Sequence, residues 1–302
     1  MRKLPRETRA LVIGALTEGM GINATARLCS VSKLTVLRLL ADAGSFALDY
    51  HDDAVRNLPT TRVEVDELWA FVGCKQRTKD DGMSEGHGDA WTWVAIDADH
   101  KVAISYAVGK RDSANAHALL ADLKARVRNR IQLTSDALAF YKTAVRSVFG
   151  KEIDFATLTK SYAAVRETPA RYSPPVCTGC VGKRQVGKPD PDLISTSYIE
   201  RMNLTTRVQT RRYTRLTNGW SRILSNHVYA TALQFLAYNF VKKHATLKTT
   251  PAVAAGIASR PMTVLDIVDL IEARERRTGG RLSGYRPSPK RPSGEAQILS
   301  AP

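Results

Sequence analysis

Apolar residues recur along the chain at two spacings. Near the N-terminus Leu11, Val12, Ala15 and Leu16 share one face at helical spacing, and Gly19 and Gly21 interrupt them. Ile22, Ala24, Ala26 and Leu28 fit a short second helix. Ser32 is a good N-cap for a third helix over 33–42, which carries Val36, Leu37, Leu39 and Leu40 and which Gly44 would close. The turn formed by Cys29, Ser30, Val31 and Ser32 has the length of a helix-turn-helix bend. The third helix would present Ser32, Lys33, Thr35 and Arg38 outward, residue types suited to phosphates and base edges. The same spacing also fits a plain three-helix cap on the next domain.

The spacing then changes. A run rich in Val, Trp and Phe over 62–72 reads as a strand, a polar Gly-rich stretch covers 75–89, and further strands are predicted over 90–96 and 101–108. A helix follows over 113–128, with Ala116, Leu119, Leu120 and Leu123 on one face. A short buried strand, 131–135, ends at Asp136, and a helix over 137–148 leads to a strand near 153–156. Three strands, helix, strand, helix, strand is an order that fits an α/β, ribonuclease-H-like sheet. The Pro- and Gly-bearing stretch 159–195 reads as irregular. Helices are expected over 197–215, 221–243 and 262–277, and the Gly/Pro/Arg-rich tail reads as disordered. The expected organisation is a helix-turn-helix unit (1–46), a linker (47–60), a catalytic domain (61–272) interrupted by 159–195, and a basic tail (273–302).

Charge sharpens this picture. The 302 residues hold 45 Lys and Arg against 29 Asp and Glu, a net charge of +16, which favours a polyanionic partner through phosphate neutralisation and counterion release. From Arg201 to Leu265 there are ten Lys or Arg and no acid, where a merely solvated helical region interleaves signs. No apolar run is long enough to span a bilayer, the N-terminus lacks a signal-peptide core, and four cysteines do not make a disulfide scaffold, so a cytoplasmic protein is expected. Cys177 and Cys180 form a lone CxxC pair, two ligands where a structural zinc needs about four, so zinc is not expected.

Against this basic background three acids stand out. Asp66 lies inside an apolar strand, where a carboxylate is costly unless paired or bound to metal. Strand alternation points Glu64 and Asp66 to one face and Glu67 to the other. Asp136 ends the 131–135 strand, where an α/β sheet places its ligands. Glu200 opens a helix on which Glu200, Asn203, Arg207 and Arg211 are spaced to share a face, flanked by Arg201, Arg212 and Arg215. Three carboxylates from separate elements can converge on one oxygen-lined site for two Mg²⁺ or Mn²⁺ ions. Asp97, Asp99 and Asp112 read as turn formers or caps, and His227 and His244 as core or phosphate contacts. No phosphate-loop motif is evident, so ATP is not expected.

Five stretches carry a family resemblance: VEVDELWAFVGCKQ, GDAWTWVAIDADHK, RNRIQLTSDALAFY, ISTSYIERMNLTTRVQTRRYTRLTNGWSR and YNFVKKHATLKTTPAVAAGI. With them the chain resembles, over roughly 49–270, the insertion-sequence-1 family of bacterial DDE-type transposases. The resemblance implies Asp66, Asp136 and Glu200 as catalytic metal ligands, followed by the family's Asn and Arg positions at Asn203 and Arg207. It further implies double-stranded DNA partners, both element terminal repeats and target, and a dimer or higher assembly on DNA. Lys33, Thr35, Arg38, Asn203, Arg207, Arg211, Arg212 and Arg215 are the DNA-contact candidates. Where many such proteins carry Gly soon after the second Asp, this chain has Ala137, Leu138, Ala139 and Phe140. A catalytically decayed relative acting as a repressor, or a ribonuclease-H-type nuclease that cuts without joining, are the alternatives.

Overall fold

The computed structural model describes residues 3–163 and 177–280. The strands predicted from alternation form as β1 (Arg62–Val72), β2 (Gly88–Asp97), β3 (Ala103–Gly109), β4 (Gln132–Ser135) and β5 (Asp154–Tyr162), joined by β6 (Cys177–Val186). They make one six-stranded sheet in the order β3-β2-β1-β4-β5-β6. β1, β2 and β3 form an antiparallel meander, β4 and β5 continue parallel to β1, and β6 closes the far edge antiparallel to β5. Helix α4 (Ser113–Arg126) crosses from β3 to β4 and α5 (Ala139–Val148) from β4 to β5. Three antiparallel strands followed by two helix-linked parallel ones is the ribonuclease-H-like arrangement, an α/β fold.

Alternation along β1 divides the sheet into two faces. On one, Val65 and Glu67 sit with Trp93, which packs edge-on against Tyr141 of α5 at 5.5 Å between ring centroids. On the other, Glu64 and Asp66 bond to α6 (Ser197–Gln209), and Leu68 packs with Tyr213, whose hydroxyl meets Thr231 of α7 (Leu224–Leu236); α8 (Pro251–Ala254) and α9 (Val264–Thr278) follow in the chain. After α7 the chain widens into a π-turn, Ala237–Val241. There Asn239 pairs both its amide groups with the backbone N–H and C=O of Ala103, at 2.9 Å each, so part of the outer edge of β3 is satisfied by a side chain.

The N-terminal helices are α1 (Arg6–Thr17), α2 (Ile22–Leu28) and α3 (Lys33–Ala54). Ser32 caps α3, accepting from the Thr35 N–H at 3.1 Å. Gly44 does not end α3, which runs on to Ala54 and occupies most of the stretch expected to be a linker. The reason is tertiary. A Cβ on Gly44 would stand 2.3 Å from Tyr229 Cβ and 2.5 Å from its Cα, so this glycine lets α3 and α7 cross at backbone contact. The first helix is also tied down: Lys3 pairs with Glu275 at 2.7 Å, Arg6 with Asp269, and the buried Arg9 with Glu272, all on α9. Beyond α3, the buried Arg126 spans Asp52 at 2.8 Å and Asp122 at 2.7 Å while donating to the carbonyl of Val55 at 3.0 Å. A buried guanidinium satisfied on every side is stable where an unpaired one would not be.

Other departures from the expected elements have local causes. α6 ends at Gln209 and not near 215, so Arg211 leaves the face of Glu200 and begins a short 3₁₀ turn, Arg211–Tyr213. Tyr213 is pulled into the core, its hydroxyl 2.6 Å from both Thr92 and Thr231. The stretch expected to be irregular holds β6 and the end of β5, while 164–176 lies outside the described residues. Of the expected disordered tail, 273–278 belong to α9 and 281–302 lie outside the described residues. No helix among the described residues is long and apolar enough to cross a membrane.

Gly44→Ala is expected to lower unfolding free energy by about 1–3 kcal/mol through overpacking at this crossing. A urea unfolding curve superimposable on that of the parent would show that the two helices do not meet so closely.

Candidate active site

The parallel register explains why the first two acids meet. β4 pairs with β1 at Arg62↔Gln132, Val63↔Leu133 and Glu64↔Thr134 and then stops at Ser135. Continuing that register by two residues brings Asp136 alongside Asp66. Because β4 has ended, the edge of β1 is open there, and side chains from both its faces can reach round it. Carboxylate oxygens of Asp66, Glu67 and Asp136 consequently lie within 4.8 Å of one another. Glu67 thus joins the cluster, although alternation points it from the opposite face. Asp136 is held by its own backbone turn, Oδ1 accepting from the Leu138 N–H at 2.9 Å, which uses the residues that stand where a glycine was noted as common.

Glu67 is held from behind. Arg111 donates to its Oε1 from Nε at 2.7 Å and from the terminal nitrogen at 2.5 Å, and the Tyr141 hydroxyl donates to Oε2 at 3.1 Å. Arg111 itself lies over the ring of Trp91, 4.9 Å from its centroid. Burial raises the Glu67 carboxyl above its ordinary range, with Arg111 acting against that rise.

Helix α6 is positioned by a further acid, Glu64. Its Oε2 accepts from the backbone N–H of Tyr198 at 2.8 Å and of Ile199 at 2.9 Å, so a carboxylate on β1 sits at the positive end of α6. This fixes the first turn, where Glu200 lies. Glu200 stands outside the 4.8 Å cluster. Its Oε1 accepts from Lys160 of β5 at 2.5 Å and from the Thr196 hydroxyl at 2.7 Å, and its side chain is 47% exposed. It is still close enough for its charge to act on Asp66. One turn on, Asn203 donates from Nδ2 to Asp66 Oδ2 at 2.8 Å, and its Oδ1 is buried with no partner. Asn203 is only 4% exposed, so it orients Asp66 and does not lie on an open DNA-facing surface.

The Asp66 carboxyl is pushed up to about 7 by burial first, and then by the charges of Glu67, Asp136 and Glu200. Crowded hard oxygen donors that resist carrying their full charge together are the donor set a divalent cation relieves, so the residues present fit Mg²⁺ or Mn²⁺.

The cationic candidates separate. Arg207 is partly buried, its Nε without a partner; burial and then Arg215 lower its pKa, while Asp66 acts to raise it. Arg211 and Arg215 are exposed. Arg212 turns inward, donating to Ser221 Oγ at 2.9 Å, and burial brings it down to about 10. In the N-terminal unit Lys33 is exposed, and Thr35 and Arg38 are partly so. Of the acids read as turn formers or caps, Asp97 accepts from the backbone N–H of Asp99 and His100 and Asp112 caps α4, whereas Asp99 instead pairs with Arg62. His227 is a buried core residue bonded to Ser221 at 3.0 Å.

Sequence reading missed Glu67, Tyr141, Arg111 and Lys160. Only Glu67 carried a signal, its adjacency to Asp66; the others reach the site from elements whose placement periodicity does not give.

No protein-family model matches the chain, and no characterised protein matches it by sequence. Solved structures similar to it include the piggyBac transposase synaptic complex with hairpin DNA (10% identity, TM-score 0.45, covering 95% of this chain and 78% of that one). A simian T-cell lymphotropic virus intasome in complex with PP2A regulatory subunit B56 gamma (14%, TM-score 0.37, 81% and 73%) is another. So is the Mos1 strand transfer complex (14%, TM-score 0.27, 78% and 76%). Strand order and register, not these likenesses, define the fold.

An Asp whose folded-state pKa is raised from 3.8 to about 7 keeps a proton that the unfolded chain has already released. Its contribution to stability is therefore present below pH 4 and lost as pH rises through 7. Without divalent ions, Asp66→Asn is expected to be more stable than the parent at pH 8, by at most about 4 kcal/mol, and equal to it near pH 4. Mn²⁺ should close the gap at pH 8. Thermal melts showing the same difference at both pH values would refute the raised Asp66 carboxyl.

Proposed function

We propose that this protein is a DNA transposase of the DDE type, from a bacterial insertion sequence of the insertion-sequence-1 kind, that cuts at element ends and joins the freed 3′-OH to target DNA. The observation that carries the reading is the meeting of Asp66 and Asp136 at the open edge of β1, beneath a helix whose first turn bears Glu200 and whose last turn bears Arg207. A carboxylate cluster in an RNase-H-like sheet, on a chain of net charge +16, suits phosphodiester chemistry better than any alternative use of such acids.

Asp66, Asp136 and Glu200 would hold two Mg²⁺ or Mn²⁺ ions, which supply Lewis-acid stabilisation of the attacking and leaving oxygens in an in-line displacement. Glu67, fixed by Arg111 and Tyr141, keeps the cluster acidic without being free to turn toward the DNA. Asn203 holds one oxygen of Asp66 so that the other stays directed at the cluster. Glu200 must exchange its contact with Lys160 for the centre, and Lys160, once released, is placed to meet a phosphate. Arg207, Arg211 and Arg215 would line the approach of the duplex, whereas Arg212 supports the turn that presents them. Lys33, Thr35 and Arg38 at the start of α3 would read or grip the element end. The first displacement uses water and the second the 3′-OH, so one centre serves both steps without a covalent enzyme intermediate or ATP. Holding two ends calls for at least two copies of the chain.

In an integration assay with the element's terminal DNA, a supercoiled plasmid and Mg²⁺, the parent should yield joined products. Asp66→Asn and Asp136→Asn should lose joining by at least a thousandfold while retaining end binding. Joining at parental rates in either variant would remove the assignment; nicked but never joined plasmid would point to a nuclease. Lys33→Ala should weaken end binding and reduce the slope of log affinity against log salt by about 1, as loss of one phosphate contact requires. An unchanged slope would take Lys33 out of the interface.

A further inference from the structure

The CxxC pair on β6 takes no part in the centre described above, and its geometry is unusual. Residues three apart on a regular strand point to opposite faces. Here the β5–β6 register runs Lys160↔Cys180, Ser161↔Gly179 and then Tyr162↔Cys177, so Thr178 has no partner and forms a bulge. One extra residue restores the alternation, placing Cys177 and Cys180 on the same side. Their sulfurs lie 3.6 Å apart, and both residues are exposed.

No other cysteine or histidine joins the pair: Cys29 is buried in the N-terminal unit, and Cys74 contacts Met83. With two thiols in contact and no further soft ligand, we propose that Cys177 and Cys180 are a reversible dithiol–disulfide pair, oxidised by small-molecule disulfides. The step balances by thiol–disulfide exchange. The Cys177 thiolate attacks one sulfur of RSSR, forming a mixed disulfide and releasing RSH. Cys180 gives up its proton and attacks the Cys177 sulfur, and a second RSH leaves; two protein thiols lose two electrons and RSSR gains them. The contact between the two sulfurs raises the Cys180 thiol above its ordinary value, and the same balance holds if Cys180 attacks first and Cys177 resolves.

The pair also sits beside the acidic centre. Cys180 is opposite Lys160 in the sheet, and Lys160 is the cation that holds Glu200. Closing the sulfurs from 3.6 Å to the roughly 2.05 Å of a disulfide tightens the bulge in β6, the strand paired with the end of β5 that carries Lys160. The redox state is therefore transmitted to Glu200, a consequence that rests on Glu200 being a metal ligand; the disulfide itself does not.

The test equilibrates the full chain carrying Cys74→Ser anaerobically with defined ratios of reduced and oxidised glutathione, quenches it with acid, and maps the Cys177–Cys180 peptide by mass spectrometry. The expected result is an intramolecular disulfide, two hydrogens lighter, that dithiothreitol reverses and that Cys177→Ser abolishes. Mixed glutathione adducts without ring closure, or thiols blocked by co-purified zinc, would overturn the pair. Mn²⁺ affinity, measured calorimetrically on both forms, should differ at least threefold. Equal affinities would overturn the link to Glu200, whereas absence of Mn²⁺ binding in both forms would count against the metal centre and leave the disulfide standing.

Discussion

Mutual repulsion among carboxylates that the backbone forces together is the constraint around which the rest of this structure is arranged. Asp66 and Asp136 are side by side because β1 and β4 are parallel neighbours, and β4 stops just short of covering them. Nothing in the apolar core would tolerate that charge unaided. The surroundings answer it piece by piece: Arg111 and Tyr141 hold Glu67, Asn203 holds Asp66, the start of α6 takes Glu64, and Lys160 takes Glu200. The placement of α5, α6, β5 and the turn before α4 thus follows from the need to compensate one acidic edge.

Much of the fold was legible because burial imposes periodicity. β1 was bounded correctly by its Val, Trp and Phe content, and α4 begins where its apolar stripe placed it but ends two residues earlier than expected. Failures cluster where tertiary contact overrides a local signal. Gly44 looked like a helix stop, yet its missing side chain serves the contact with Tyr229. The 197–215 helix looked continuous because its cations continue, whereas Tyr213 is drawn into a buried hydroxyl network that breaks it. β6 was invisible because all but its last residues are exposed, so no alternation marks it.

For the site, sequence could name acids but not their company. Asp66, Asp136 and Glu200 each lay at the end or middle of a recognisable element. Their relative placement depends on register, which residue spacing does not encode. Glu67 was set aside on alternation, a rule that holds inside a sheet and weakens at an uncovered edge. Asn203 was read as a surface contact from helical spacing, and burial instead makes it a brace for Asp66.

The unbroken run of α3 has a mechanical consequence. Its 22 residues, at about 1.5 Å of rise each, measure about 33 Å. One end begins at the exposed Lys33; the other is anchored through Asp52 and Val55 to Arg126, next to the sheet. Such a strut behaves as a stiff lever: a push on its exposed end cannot be absorbed by bending in the stretch after residue 46 and must be borne by the crossing at Gly44 and by the Arg126 anchorage.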